Sequence, residues 1–275
     1  MESKNFSEKN NNNFIIVSGH QPVYLPWLGL FHKLYLCDKF VFMDTVQYLD
    51  GDWNNRNKIR IPDRSLMLTV PIDRKKSKSK MLDKIVVHGY ENPESKDFWQ
   101  KKHWESIKVN YKKSTYFDEF AGELEEMYLK KNWKYLIDIC WHQFNFFRKC
   151  LGLDNKEIVR MSDFSFEGTK DDLILDHCKK LNGDAVVFGF HGKEYVDINK
   201  FSCSNILVYF QNYIHPIYQQ RFKGFESNMS VLDLLFNYGS ERSREIALSK
   251  NISDVELKKS TLWSNYELLA HSKNK

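Results

Sequence analysis

A histidine and a glutamine stand directly before a proline in GHQPVYLPWLGLFHK, residues 19–33. A neutral imidazole can accept or release a proton near neutral pH, and a protonated one can donate to a phosphate. The amide of Gln21 offers both a donor and an acceptor. Two prolines restrict the backbone of this turn. We interpret His20 as a candidate general base, with Gln21 and Tyr24 as candidate substrate contacts. The alternative is a structural turn capped by a histidine.

A second group of polar side chains follows in MDTVQYLDGDWNNRNKIR, residues 43–60. Ordering so many hydrogen-bonding groups beside the end of a strand is costly unless something engages them. Asp44 is a candidate base, a ribose binder or the partner that orients His20. Arg56 could hold a phosphate or carboxylate through two hydrogen bonds. An exposed loop with Asx turns explains the cluster equally well. The candidate substrate contacts here are Gln47, Asn55, Arg56 and Asn57.

A glycine-bracketed loop in FGFHGKEYVD, residues 188–197, supplies a third group of candidates. His191 is a second candidate acid or base, Lys193 adds positive charge and Tyr195 adds a hydroxyl. Backbone amides in such a loop can receive an anion. A plain glycine turn is the competing interpretation.

The last candidates lie around the start of a predicted helix near Ser230. Tyr218 and Gln219 precede this helix and are candidate substrate contacts. Ser230 is a suitable N-cap, and Asp233 lies in the first turn, where negative charge is favourable. Ser230 and Asp233 therefore have a complete structural explanation, and only a family resemblance keeps them as secondary candidates for substrate binding.

Several familiar site signatures are missing from the sequence. It contains no CxxC, HxH or HExxH pattern of a metal site, no P-loop and no GxGxxG fingerprint. The five cysteines are odd in number and form no CxxC pair, which is typical of reduced thiols in a cytosolic protein. The sequence identifies no metal site and no cofactor.

The charge balance favours a small anionic partner. The formal net charge is +5, and no helix carries the basic stripe expected of a DNA-binding protein. The lysine-rich residues 74–80 are interpreted as a solvated loop, with closure over an anionic substrate as the alternative. No apolar stretch is long enough for a membrane span and no signal peptide is evident, so we expect a cytoplasmic location.

Hydrophobic patterns place these residues on an α/β fold. Apolar runs at 14–17 and 39–43 predict buried strands, and helical spacing at 27–37 predicts a helix between them. This βαβ unit implies a mostly parallel sheet. Further strands are predicted at 57–61, 66–72, 85–88, 157–161, 185–188 and 206–210, and further helices at 171–181, 231–238 and 240–249.

The predicted domain organisation is one α/β domain over residues 14–249. Helical periodicity predicts a helical insert of three helices at about 93–152 within it. Residues 1–13 are expected to form a disordered tail, and residues 250–275 a tail or a short helix.

The order of several segments resembles the WbqC-like family of bacterial proteins. The resemblance rests on HQPVYLPWLGLFHK, DKFVFMDTVQY and WNNRNKI, and later on LTVPI, TYFDEF, GKEYVD, FQNYIHPIYQQ and MSVLDLLFNYG, from about residue 14 to 239. It implies membership of gene sets for O-antigen (lipopolysaccharide) and related surface polysaccharides. Before GKEYVD the family pattern leads us to expect Ser-Gly, whereas this chain has FGFHG, so no role of a serine is carried over there.

From these observations we predict a transferase that modifies a nucleotide-linked amino sugar by acyl or aminoacyl transfer. His20 would act as the base, with Asp44 and His191 as further catalytic candidates. A nucleotidyltransferase is one alternative, although its HxGH signature is missing. A non-catalytic sugar-nucleotide binding or assembly protein is the other. The expected partner is a nucleotide-linked sugar or another anionic small molecule and no nucleic acid, and a homodimer is an open alternative to a monomer.

Overall fold

The first βαβ unit places His20 at the end of a strand in a parallel sheet. The computed structural model describes residues 14–265, so the predicted tail 1–13 and residues 266–275 lie outside the described residues. β1 (Ile16–His20), α1 (Leu28–Leu36) and β2 (Lys39–Phe42) follow one another, and the two strands pair in parallel. The predicted unit is confirmed, with β1 reaching further along the chain so that His20 is its last residue.

Five parallel strands form the main sheet, which confirms the predicted fold class. The three later strands are β5 (Glu157–Arg160), β6 (Ala185–Phe188) and β7 (Leu207–Phe210), and the order across the sheet is β5-β2-β1-β6-β7. In chain order, β2 and β5 are added on one side of β1, and β6 and β7 are then added on its other side. The strand order therefore reverses between β1 and β6, and open α/β sheets bind ligands at such a reversal point.

Alternating side chains of the strands face two separate cores. Ile16 packs on the larger core, whereas the next residue, Val17, packs on the smaller one. Helices α5 (Lys170–Lys180) and α6 (Ile198–Cys203) cover the smaller core. Helices therefore cover both faces of the sheet, as an all-parallel sheet requires.

The middle of the chain is helical, as predicted. It contains α2 (Trp99–Tyr111), α3 (Phe117–Glu125), a turn of π-helix at Glu126–Lys130, and α4 (Leu136–Cys150). The predicted apolar face of α2 is buried, because Trp99, His103, Ile107 and Tyr111 all point inward. This region packs on the same side of the sheet as α1.

An antiparallel hairpin joins β2 to the helical region. It consists of β3 (Arg56–Arg60) and β4 (Ser65–Thr69), close to the predicted pair. The strand predicted at 85–88 is wrong, because this segment forms only isolated bridges, Ile72 with Val87 and Val86 with Tyr135. Its backbone hydrogen bonds alternate between residues 71–73 on one side and residues 134–136 on the other. A continuous ladder with one partner strand therefore does not form.

Gly239 divides the long C-terminal helix α7 (Val231–Leu248) into two segments. Its φ of 69° and ψ of −177° are not helical, so the two helices predicted on either side of Gly239 are confirmed as segments that meet at a kink. A Cβ at this position would lie 2.7 Å from the ring of Tyr116, so both the conformation and the close contact favour glycine. A short helix, α8 (Asp254–Lys259), follows. Among residues 14–265, no helix is both long and apolar enough to cross a bilayer.

The turn after β1 is held in an unusual backbone conformation. Leu25 has φ of 47°, in the left-handed region that a non-glycine residue adopts at a cost of about 1 kcal/mol or more. Its N–H donates to the side chain of Gln143 at 2.8 Å, and its carbonyl accepts from the amide of Asn57 at 2.6 Å. The backbone N–H of Val231 also donates to the carbonyl of Pro26 at 2.8 Å. The turn is therefore fixed by α4, β3 and α7 together.

We expect Asn57→Ala to lower the free energy of unfolding by about 1–3 kcal/mol, because it leaves the buried carbonyl of Leu25 without its donor. Urea unfolding followed by circular dichroism measures the change. Asn155→Ala, at an exposed turn position, is the matched control and should change stability by less than about 0.5 kcal/mol. Equal stabilities of wild type and Asn57→Ala would contradict this role.

Candidate functional site

His20 ends β1 beside the reversal point of the sheet. Its ring is partly exposed at the carboxyl edge of the strands. The preceding Gly19 allows β1 and β2 to approach, since a Cβ there would lie 2.9 Å from the carbonyl oxygen of Val41. The fold therefore places His20 where the sequence predicted a ligand site.

The hydrogen bonding of His20 defines its tautomer. Nδ1 lies 2.7 Å from the backbone carbonyl of Gln21. A carbonyl can only accept, so Nδ1 carries the hydrogen and Nε2 keeps its lone pair. No residue in the described range 14–265 is recorded as a hydrogen-bond partner of Nε2. The edge of Trp27 supports the ring, with centroids 5.4 Å apart. This arrangement presents a free basic nitrogen.

The surroundings keep His20 neutral. Burial and the positive charge of Lys33 lower the pKa of His20 to about 4 from its usual 6.5. At neutral pH the imidazole is therefore uncharged and able to accept a proton or a hydrogen bond. A cationic role toward phosphate, the other option for His20, is disfavoured by the same two effects.

Lys33 is a residue of the site that the sequence patterns did not indicate. It lies on α1, only 7% exposed, and its Nζ donates to the carbonyl of Gly19 at 2.8 Å. Burial lowers the pKa of Lys33 to about 8. Within residues 14–265 no carboxylate forms an ion pair with it. The available signal was a charged residue inside an otherwise apolar helix, of which the structure buries nearly every residue.

Aromatic and amide side chains form the wall next to His20. The rings of Trp27 and Trp53 meet edge to face, with centroids 6.3 Å apart. The Nδ2 of Asn54 donates to the carbonyl of Pro22 at 2.8 Å and to Oε1 of Gln21 at 3.3 Å. Its Oδ1 is buried and has no hydrogen-bond partner among the residues described. We refer to this surface as the His20 site, which comprises His20, Gln21, Trp27, Lys33, Trp53 and Asn54.

The apolar side chains next to His20 are closely packed. The rings of Phe40, Phe42 and Phe144 lie beside it and leave no cavity large enough for a water molecule. Ordinary ligand pockets enclose roughly 300–1,000 Å³. A ligand would therefore have to lie across the outer surface of the His20 site.

The guanidinium of Arg56 lies at the surface near this wall. It is partly exposed, and a Cβ on Gly51 would lie 3.5 Å from its Nη2. The guanidinium forms no ion pair or hydrogen bond with any residue from 14 to 265. Arg56 therefore keeps its donors available, and its contact with an anion stays a prediction.

The neighbouring asparagines form hydrogen bonds to backbone carbonyls inside the fold. Asn55 is buried and donates to the carbonyl of Val70 at 2.8 Å. Asn57 is buried and holds the carbonyl of Leu25. We therefore assign Asn55 and Asn57 structural roles in place of the predicted substrate contacts. Gln47, by contrast, is exposed and forms an isolated bridge with Met81.

Tyr24 points away from the site into the core. It is fully buried, and its hydroxyl bonds to the hydroxyl of Tyr128 and, at 2.7 Å, to Nδ1 of His103. Gln143 donates to Tyr128 at 3.1 Å and completes the network. Burial raises the pKa of Tyr24 and lowers that of His103 to about 3. The predicted substrate contact of Tyr24 is replaced by a structural one.

Asp44 follows β2 at the same edge but is occupied by other partners. Its buried carboxylate accepts from Arg160 at 2.9 Å, from the Ser162 backbone N–H at 2.8 Å and from the Ser162 hydroxyl at 2.7 Å. Arg160 in turn lies over the ring of Trp141. Since Nδ1 of His20 bonds to the backbone instead, we assign Asp44 a role in closing the sheet edge rather than in orienting His20.

The loop after β6 lies on the other side of the reversal point. His191 is 83% exposed and its Nδ1 lies 2.8 Å from Oε1 of Glu194. Lys193 lies over the ring of Phe190, and Tyr195 is exposed. Gly192 is explained by packing, because a Cβ would lie 2.7 Å from Cβ of Phe188. The three predicted residues are accessible, but none of the described contacts joins them to His20.

The candidates near α7 form a structural cluster of their own. Asp233 is fully buried and accepts from Tyr111, Tyr218 and Gln220, each at 2.9 Å. Burial raises the pKa of Asp233. Ser230 caps α7 by accepting from the N–H of Leu232. We therefore assign Tyr218, Ser230 and Asp233 structural roles. Gln219 is exposed, and its backbone N–H donates to Tyr238.

The cysteines do not resemble activated nucleophiles. All five carry free thiols, and Cys37, Cys140 and Cys178 are buried. Burial raises the pKa of Cys37 to about 12, where the reactive thiolate is scarce. Among the described residues, no three side chains of His, Cys, Asp or Glu come together as a metal site.

We expect Lys33→Met to change how stability depends on pH. The Lys33 pKa is lowered from 10.5 to about 8, so the unfolded chain binds an extra proton between these values and wild-type stability rises as pH increases. Between about pH 8 and 10.5, the free energy of unfolding of the wild type should rise by up to about 3 kcal/mol relative to that of Lys33→Met. Urea unfolding at both pH values measures this. Lys113→Met, at an exposed site, should show no such difference, and a pH-independent difference for Lys33→Met would contradict the assignment.

Comparison with known proteins agrees with the motifs. Residues 21–245 match the WbqC-like protein family, which is well over half of the 275-residue chain. The chain is also 29% identical over 222 residues to the uncharacterized protein Rv1507c of Mycobacterium tuberculosis, covering 80% of this chain and 93% of that protein. No solved structure matches the chain. The matched region contains four of the five strands of the main sheet, the helical middle and the residues of the His20 site other than His20 itself, and the chain belongs to the WbqC-like protein family.

Proposed function

We propose that this protein is a transferase in which His20 takes a proton from the attacking amine or hydroxyl of a nucleotide-linked sugar. The observation that carries the proposal is the bond between Nδ1 of His20 and the carbonyl of Gln21, because it fixes the tautomer with a basic Nε2. The low pKa of His20, about 4, keeps that nitrogen unprotonated across the neutral range. A general base must be unprotonated and must aim its lone pair at the proton before the reaction begins. It is most efficient when its pKa lies near the operating pH, so the proposal requires that bound substrate raises the pKa of His20.

The proposed reaction is acyl or aminoacyl transfer to an amino sugar. The sugar nitrogen attacks the carbonyl carbon of an activated acyl donor, a new C–N bond forms, and the bond from the acyl carbon to the leaving group breaks. Nε2 of His20 removes the proton from the attacking nitrogen and passes it to the leaving group. Burial and the charge of Lys33 disfavour a lasting imidazolium, which favours passing this proton on to the leaving group.

The acceptor class is proposed from the groups around His20. Arg56 has uncommitted donors that suit a diphosphate. Trp27 and Trp53 provide aromatic faces and edges for a sugar or a base. Because no cavity opens beside His20 among the described residues, both the sugar and the nucleotide would lie on the outer surface, across Trp53 toward Arg56. Membership of gene sets for surface polysaccharides, which the family resemblance implies, points to the same acceptor.

The test is a mass-shift assay. Purified protein is mixed with UDP- and dTDP-linked amino sugars and with a donor panel of acyl-CoAs, formyl-folate, and amino acids with ATP. We expect a new sugar-nucleotide mass with the wild type and a rate reduced at least 100-fold in His20→Ala, the usual effect of losing a general base. His88→Ala, an exposed histidine far along the chain from the site, serves as the matched control and should retain the rate.

The pH profile makes the test specific to the base. Because His20 must be unprotonated, the acid limb of kcat/KM that belongs to His20 should lie near pH 4, below the limb that comes from protonation of the acceptor amine. Lys33→Met removes a charge that lowers this pKa, so the acid limb should move to higher pH in that variant. A full rate in His20→Ala would exclude the proposed base. Retention of the sugar nucleotide with no new mass would favour a binding protein, and release of pyrophosphate from a nucleoside triphosphate would favour nucleotidyl transfer.

A further inference from the structure

An exposed loop at residues 74–80 concentrates positive charge. It contains five lysine and arginine residues within RKKSKSK, all of them exposed. Arg74 pairs with Asp50, and Lys76 pairs with Glu91. The ammonium groups of Lys75, Lys78 and Lys80 form no recorded ion pair with any residue between 14 and 265. Three cations of this loop therefore project into solvent without a partner.

The charge of the protein is unevenly distributed along the chain. Between residues 47 and 84, ten lysine and arginine residues stand against five aspartates, which gives a net charge of +5. The whole chain has the same net charge of +5. The rest of the chain is therefore neutral on balance, and this segment carries the entire excess.

Large apolar side chains are exposed beside these cations. Leu49 is 46% exposed, and Trp53 and Met81 are each 38% exposed. The backbone N–H of Tyr48 donates to the carbonyl of Lys80 at 2.7 Å, and Gln47 forms a bridge with Met81. The pair between Arg74 and Asp50 ties the two segments together at 2.8 Å. We call the surface formed by residues 47–53 and 74–81 the basic face.

We propose that the basic face docks this protein on an anionic lipid bilayer. Free lysines attract the negative headgroups, and Leu49, Trp53 and Met81 enter the boundary between headgroups and acyl chains. A single soluble phosphate would need donors that converge on one point, whereas these lysines point outward from a loop. The pattern of dispersed cations flanked by exposed apolar side chains suits an extended charged surface that also offers an apolar layer.

The proposal goes beyond the proposed transferase activity and does not depend on it. Trp53 belongs to both the basic face and the His20 site, and its ring contacts Trp27 beside His20. Docking would therefore bring the carboxyl edge of the sheet close to the bilayer surface.

Vesicle co-sedimentation tests the proposal. The full chain is mixed with vesicles of phosphatidylcholine alone or with about one quarter phosphatidylglycerol. The test variant is Lys75→Gln/Lys78→Gln/Lys80→Gln. The control is Lys112→Gln/Lys113→Gln/Lys179→Gln, which removes the same charge at exposed positions elsewhere. Circular dichroism confirms that both variants are folded, and Leu49→Ser/Met81→Ser probes the apolar part of the face.

We expect the wild type to bind the anionic vesicles and not the neutral ones, and to bind less well at about 0.5 M salt than at about 0.1 M. Each lysine near a charged bilayer contributes about fivefold to affinity, so the test variant should bind at least tenfold more weakly and the control within about twofold of wild type. Leu49→Ser/Met81→Ser should also weaken binding.

Three outcomes would overturn the proposal. These are a failure of the wild type to bind anionic vesicles, equal losses in the test and control variants, and a test variant that loses affinity for a UDP-sugar while its vesicle binding is unchanged. The last result would assign the loop to a soluble anion. None of these outcomes depends on turnover, so failure of the transferase proposal is recognised separately, by the mass-shift assay.

Discussion

The left-handed residue Leu25 is the constraint on which the arrangement of the site depends. It lies five residues after His20, and the side chains that hold it come from two distant parts of the chain, Asn57 of β3 and Gln143 of α4. Such a conformation persists only where the surrounding structure over-determines it. The helical middle and the hairpin therefore do more than fill space, because they fix the path of the chain from His20 to α1.

Desolvation dominates the electrostatics of the site. His20 and Lys33 are two basic groups close enough to influence each other, and burial acts on both. Lys33 tolerates burial because its Nζ donates a hydrogen bond to the carbonyl of Gly19 and because its aliphatic stem lies among the apolar residues of α1. Shifted pKa values of this kind cluster at functional sites.

The periodicity of apolar residues made the fold predictable. The roles of the candidate site residues, by contrast, depend on the hydrogen-bond partners that they find in the structure. The βαβ unit and the three middle helices follow from apolar spacing, which local sequence records well. Tyr24 and Asn57 were candidates because polar residues cluster near strand ends, and Asp233 was a candidate because of the family resemblance. In the structure Tyr24 bonds to a histidine and Asn57 bonds to a backbone carbonyl. Asp233 bonds to two tyrosines. A polar residue looks the same in sequence whether it binds a substrate or the protein itself. Lys33 was missed for the opposite reason, since its neighbours suggested only core.

The pairing of β1 has a consequence for the order in which the protein is completed during synthesis. One edge of β1 pairs with β2 soon after both emerge, but the other edge waits for β6, where Ile16 pairs with Ala185. Further closure comes later still, when Trp263 packs against Phe14 and the N–H of Ser264 reaches the carbonyl of Val208. A nascent chain therefore exposes an unpaired central strand, with His20 at its end, while some 140 further residues are translated. Such an open edge is the kind of surface that chaperones shield and that aggregation exploits.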